Sequence, residues 1–150
     1  MQIIISKIYS KHDLPFDLLL LADETIEAIE KYIYDSEVYV AKESEDSNAI
    51  AVFVLLKIND DDIEIKNVAG METLQNRGIG SFLISEIKRI AKVSKYKNII
   101  VGTPSSSAKQ INFYQRNGFR IRGVKNDSLY KKLSKHPYRE RSRLERSGNG

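Results

Sequence analysis

The chain has no cysteine, and that absence closes two routes at once. Disulfide staples are excluded, and so are metal centres built on thiolates. Histidine is scarce as well: His12 and His136 lie far apart in the chain, which argues against a zinc site, so no metal is expected. A chain free of disulfides suits a reducing cytoplasm, the expected location. Long hydrophobic runs are also missing. The longest, Ala49 to Leu56, falls well short of the roughly 20 residues that span a bilayer, as does Leu18 to Ala22. The opening Met1-Gln2-Ile3-Ile4-Ile5 is too short and wrongly flanked for a secretory signal, so no membrane partner is expected.

What is present suits one domain of 150 residues, long enough to bury a core. The net charge of +4 is unevenly placed. Residues 131–150 hold seven basic against two acidic side chains, leaving 17 against 18 in the first 130. The folded part is therefore near neutral, which argues against nucleic acid as its partner. Beyond Leu133 the apolar periodicity fails, and His136-Pro137 and Ser147-Gly148-Asn149-Gly150 have too few apolar residues to offset the entropy of ordering. The reading is a domain over 1–133 and a loose basic tail over 134–150.

The organising stretch is Asp61 to Ser94. Ile63, Ile65, Asn67 and Val68 suggest a strand ending near Ala69, and Gln75-Asn76-Arg77-Gly78-Ile79-Gly80 follows as a glycine turn. Ile79, Phe82, Leu83, Ile87, Ile90 and Ala91 then recur at spacings of three and four, the mark of a helix with one buried face. Free first-turn N–H groups and the helix dipole make this junction an anion cradle, although glycine there also serves plain packing. No Lys-Ser or Lys-Thr follows Gly80, so it is not a Walker loop. Leu83 stands where a dinucleotide fingerprint needs a third small residue. A different phosphate-bearing ligand remains.

Around this stretch, Gln2 to Tyr9 reads as a first strand, and Asp13-Leu14-Pro15 opens a helical region. Leu18 to Leu21 is apolar all round and expected to be buried. A second helix follows from about Glu24, with Asp23 as N-cap and Ile26, Ile29 and Ile33 on one face. Glu37 to Ala41, Ala49 to Ile58 and Ile63 to Ala69, joined by polar turns, predict an antiparallel meander. Asn98 to Gly102 is a further strand, Ala108 to Asn117 a short helix stopped at Gly118, and Phe119 to Val124 another strand. The only later strand candidate, Ser128 to Leu133, is a poor one.

A second motif lies downstream of the glycine turn: Phe113-Tyr114-Gln115-Arg116-Asn117-Gly118-Phe119. The two together resemble the GNAT superfamily of acetyl-CoA-dependent N-acetyltransferases, which pairs a Gln/Arg-x-x-Gly-x-Gly/Ala turn with a Tyr-x-x-x-Gly-Phe signature. The likeness covers roughly residues 1–130. It implies an α/β (α+β) fold: a mixed, mostly antiparallel central sheet of about six strands, flanked by about four helices, with a V-shaped splay between the two middle strands. It also implies acetyl-CoA as co-substrate and acetyl transfer to a primary amine, carried by a small molecule or a peptide, by direct attack in a ternary complex. A homodimer stays open.

The resemblance assigns roles residue by residue. Gln75, Asn76, Arg77, Gly78, Ile79, Gly80 and Ser81 would hold the coenzyme pyrophosphate. Asn67, Val68 and Ala69 would pair their main chain with pantetheine. Tyr114 would protonate the departing thiolate, and Glu64 stands where some members carry their general base; an ordinary solvated strand glutamate is the plain alternative. Where many relatives have an Asn contacting the coenzyme, this chain has Ser107, and Gly70 replaces a common Val. Those departures motivate the alternative of an acyl-CoA-binding domain with little catalysis. In this family the segment between the first two strands, here residues 10–36, grips the acceptor, and its acidic side chains either favour a cationic amine or form a solvated face.

Overall fold

The Ile-rich start of the chain does form a strand, β1 (Ile4–Ile8), and the computed structural model places it beside β2 (Glu37–Lys42). Residues 2–71, 78–104, 107–125 and 128–134 are described, with backbone alone at 103–104, 122–125 and 128–134. The chain divides into two units, 1–56 with 65–83 and 57–64 with 84–150.

In the first unit the strand order is β1-β2-β3-β4, with β3 at Ala51–Lys57 and β4 at Asp62–Gly70, whose first residues belong to the second unit. β1 pairs antiparallel with β2 from Ile4↔Lys42 to Ile8↔Val38, and β2 pairs antiparallel with β3 from Glu37↔Leu55 to Ala41↔Ala51. The unbroken apolar run of β3 has a simple cause: Ala51 through Leu55 are buried on both faces. A strand covered on both sides does not alternate. The register sets Tyr39 opposite Phe53, and their rings stack with centroids 4.9 Å apart, a cross-strand pair of the kind that fixes register.

Between β1 and β2 run two short helices, α1 (Phe16–Leu19) and α2 (Ile26–Glu30), with 3-10 turns at Lys11–Asp13 and Ile33–Asp35. Leu18, Leu19, Ile29, Tyr32 and Ile33 enter a core with Val38, Val40, Val52, Val54 and Ala69. Three expectations are corrected in this segment. Leu20 and Leu21 are exposed, because α1 ends at Leu19 and its helical face ends with it. Ile26 is 45% exposed, so only Ile29 and Ile33 of the expected face are buried. The N-cap of α2 is Thr25, whose Oγ1 accepts from Ala28 N–H at 3.1 Å, while Asp23 bonds elsewhere.

The second unit opens on the turn Asn59–Asp62. Asn59 Oδ1 accepts from the N–H groups of Asp61 and Asp62, both at 2.8 Å, as expected of a short polar side chain bonding its own backbone. Its strand order is β4-β5-β7-β6, with β5 at Asn98–Pro104, β6 at Arg120–Lys125 and β7 at Ser128–Ser134. β7 corrects the reading of Ser128 to Leu133 as a poor strand. It pairs antiparallel with β5 from Asn98↔Ser134 to Pro104↔Ser128, and with β6 from Arg120↔Lys132 to Lys125↔Ser128. Two flanking ladders hold it, so a segment of weak apolar alternation need not carry the strand by itself. The register of β6 shifts between Ile121 and Gly123, a bulge that one strand periodicity cannot reveal.

The long helix α3 (Ile79–Val93) begins in the first unit and continues into the second. Ile79, Leu83, Ile84, Ile87 and Ala91 are buried, while Phe82 and Ile90 are half-buried, so the apolar stripe is turned slightly towards Ile84. With α4 (Ala108–Arg116) the described residues form seven strands and four α-helices, one strand more than expected, in a mixed and mostly antiparallel α/β fold. Among the described residues no helix is long and apolar enough to cross a membrane.

Candidate active site

The Tyr114 motif is built by the way α4 stops. Gly118 adopts φ 94°, a left-handed conformation that only glycine enters without strain. This lets Phe119 N–H donate to Tyr114 O at 3.0 Å and Gly118 N–H to Gln115 O at 3.1 Å, a Schellman cap. That cap brings the residue after glycine over the residue three from the helix end. Here those two are Phe119 and Tyr114, and their rings meet edge to face at 5.4 Å. Phe113 adds a second edge contact at 5.1 Å. The spacing Tyr-x-x-x-Gly-Phe is thus the footprint of one helix cap with an aromatic pair across it. Lys88 Nζ donates to Asn117 O at 2.7 Å, setting a cation against the free carbonyls at this helix end.

Tyr114 is 8% exposed, and burial pushes its phenol up to about 12. Removing water penalises the phenolate, so the hydroxyl keeps its proton at every ordinary pH. The group is therefore a proton donor and not a base. Ser107 precedes α4 and its main-chain carbonyl accepts from Ile111 N–H at 3.0 Å, but its side chain does not cap the helix.

β4 alternates strictly from Asp62 to Gly70, with Ile63, Ile65, Asn67 and Ala69 buried and Glu64, Lys66 and Val68 half-buried on the other face. Glu64 and Lys66 share a face, as expected. Gly70 is not required by crowding. A Cβ there would meet Ala51 Cβ at 3.7 Å and Ile50 O at 3.9 Å, ordinary contacts, while Met71 N–H bonds Ile50 O at 3.0 Å.

At the start of α3, Gly78 takes φ 77°, with open space where its Cβ would stand. Phe82 N–H donates to Gly78 O at 3.0 Å and closes the first turn. The N–H groups of Ile79, Gly80 and Ser81 precede that bond and belong to the set that a helix cannot satisfy internally. A left-handed glycine followed by such N–H groups fits a phosphate. Gln75, Asn76 and Arg77 lie outside the described residues. Val68, Ala69, Gly78, Ile79, Gly80 and Ser81 belong to the first unit, and Glu64, Ser107 and Tyr114 to the second.

One set of polar residues was not anticipated as a set. Asn67, only 4% exposed, donates through Nδ2 to Leu19 O at 3.1 Å, Asp23 Oδ2 at 3.1 Å and Tyr32 Oη at 3.0 Å. Tyr32 Oη in turn donates to Asp23 Oδ2. Burial, and then the bond to Asp23, hold the Tyr32 phenol far above its usual range. The signal in the sequence was an asparagine at an inward position of β4, in phase with Ile63, Ile65 and Ala69.

The glycine turn and the capped tyrosine define a class of protein, and comparison with known proteins agrees. Residues 34–121 match the family described as "Acetyltransferase (GNAT) domain". The chain belongs to the GNAT acetyltransferases, an acyltransferase family. Over 112 residues it is 37% identical to the uncharacterised N-acetyltransferase YvbK of Bacillus subtilis (strain 168), covering 75% of this chain and 71% of that protein. It resembles a GNAT family acetyltransferase from Elizabethkingia anophelis solved with acetyl-CoA bound, with TM-score 0.79, 32% identity, and coverage of 88% of this chain and 97% of that one. A Bacillus subtilis acetyltransferase in complex with CoA aligns with TM-score 0.78 and 30% identity, over 89% of this chain and 99% of that one.

Proposed function

We propose that this enzyme moves an acetyl group from acetyl-CoA to a primary amine by direct attack in a ternary complex. The observation that carries the reading is Tyr114, a buried phenol held protonated and fixed by the cap of α4. Bound acetyl-CoA supplies an activated thioester. The N–H groups of Ile79, Gly80 and Ser81 and the turn at Gly78 suit its pyrophosphate; the Ser107 hydroxyl and the main chain of Val68 and Ala69 are further contacts. Gln75, Asn76 and Arg77 complete the cradle in this reading.

The proton balance assigns the remaining roles. An alkyl amine with a pKa of about 10.4 is almost wholly ammonium near pH 7 and must lose a proton before it attacks. Glu64, half-buried on β4, accepts that proton directly or through water. The neutral nitrogen forms a bond to the acetyl carbon, the carbon–sulfur bond breaks and the sulfur takes the Tyr114 proton, and the nitrogen then gives up its second proton, directly or through water, to restore the phenol. A carboxylate and a phenol are matched to these two opposite transfers.

The test is thiol release with a panel of primary amines. Tyr114→Phe is expected to lower release by about 10²-fold or more while leaving the CoA dissociation constant within a few-fold of wild type. Coenzyme binding with no thiol release from any amine would favour the coenzyme-binding reading, and absence of acetyl-CoA binding would overturn both.

A further inference from the structure

The Asp23–Tyr32–Asn67 set has a hydrogen-bonding inventory that points one way. Asn67 Nδ2 faces a carbonyl, a carboxylate and a phenol oxygen, so its two N–H donors are committed. Those three acceptors also fix the orientation of the amide, because reversing it would set Oδ1 against Leu19 O and the Asp23 carboxylate. Asn67 Oδ1 is then left buried with no hydrogen-bond partner among the described residues. A buried carbonyl oxygen left unmet is costly, so this one calls for an occupant.

The rest of the inventory is just as one-sided. The Tyr32 hydroxyl has one proton, and it is given to Asp23. Asp23 is half-buried, and none of the lysine and arginine ion pairs among the described residues involves it. Lys66 Nζ stands 5.7 Å from the centroid of the Tyr32 ring, against the ring and not on the orphaned oxygen. Every capacity left over is therefore an acceptor, and the one formal charge in the set is negative. Such a site rejects carboxylates and phosphates. It suits a compact cation carrying several N–H donors.

We propose that Asn67 Oδ1, with the Asp23 carboxylate and the Tyr32 hydroxyl, seats an ammonium group of the acceptor substrate, which is therefore a cationic alkyl amine. The assignment to the acceptor rests on the acetyltransferase reading. The seat joins Asp23 and Tyr32, from the segment expected to hold the acceptor, to Asn67 of β4. Asp23 supplies the charge, Tyr32 locks Asp23 in place, and Asn67 supplies a directed acceptor for an N–H.

The test follows the Asn67 side-chain amide resonances in an isotope-labelled sample, with and without CoA. The probes are n-butylammonium chloride, n-butanol and sodium butyrate. Saturable movement with the ammonium, absent with butyrate and much weaker with the alcohol, is expected. Asp23→Asn keeps the shape and removes the charge, and is expected to weaken the ammonium by about tenfold or more. Tyr32→Phe is expected to weaken it in the same direction. Both should leave the CoA dissociation constant unchanged and raise KM for a cationic amine more than they lower kcat. No response to the ammonium in either condition, an equal response to all three probes, or undiminished affinity in Asp23→Asn would overturn the proposal. If CoA still binds in that case, only the ammonium seat falls; if CoA itself does not bind, the acetyltransferase reading falls with its own test.

Discussion

Tyr114 shows how one side chain joins stability to chemistry. Its phenol is raised to about 12 in the folded chain, against about 10 when unfolded. Between these values the unfolded chain gives up its proton while the folded chain keeps it. The folded state then binds more protons, so stability is full below pH 10 and declines as pH rises through about 12. The shift corresponds to roughly 2–3 kcal/mol, and urea titrations at pH 9 and above should show a shallower decline in Tyr114→Phe. Tyr32 moves in the same direction, so the variant should retain part of the effect. At neutral pH the phenol is wholly protonated, and Tyr114 should add no alkaline limb to the rate below about pH 11. Glu64→Gln removes the carboxylate assigned to accept the amine proton and should lower thiol release while leaving the CoA dissociation constant within a few-fold.

At the level of elements, the two long helices end alike and differ in one residue. α3 closes with Tyr96 N–H to Ala91 O at 2.9 Å and Lys95 N–H to Lys92 O at 3.1 Å, the same cap as α4. Its left-handed position is filled by Lys95 at φ 67°, where α4 has Gly118. A side chain there costs about 1–2 kcal/mol, partly offset by the greater freedom that glycine has when unfolded. Lys95→Gly should therefore stabilise by up to about 1 kcal/mol, and Gly118→Ala should destabilise by about 1 kcal/mol or more, both read from urea midpoints. These caps also explain what was legible. Gly118 punctuates α4 in the sequence, and the aromatic pair across it follows from the spacing. The alternation of β4 placed Glu64 and Lys66 on one face. Asp23 was misread because a short acid before a helix looks like an N-cap, whereas its partners Tyr32 and Asn67 lie nine and 44 residues away. Local pattern cannot register bonds over such separations.

At the scale of the molecule, the missed strand is the most instructive element. Ser128–Ser134 has adjacent lysines at 131 and 132 and no clean alternation, yet it is held by β5 on one side and β6 on the other. A chain ended before Ser128 would expose the pairing edges of both neighbours. Such a truncation should lose the cooperative unfolding of wild type and aggregate on concentration, as measured by urea titration and light scattering. The basic residues beyond 134 lie outside the described residues and belong to a different question. Deleting residues 135–150 should leave acetyl transfer within about twofold if the activity belongs to the domain ahead of it.

The position of β7 has a consequence for synthesis. β5 and β6 leave the ribosome before the strand that will stand between them. Pairing them early would be an error to undo, because their native neighbour is still to come. The second unit can reach its final strand order only after residue 134 has been made, whereas β1, β2 and β3 can pair as they emerge. Tyr114 and its cap are thus translated well before the sheet of their own unit can close.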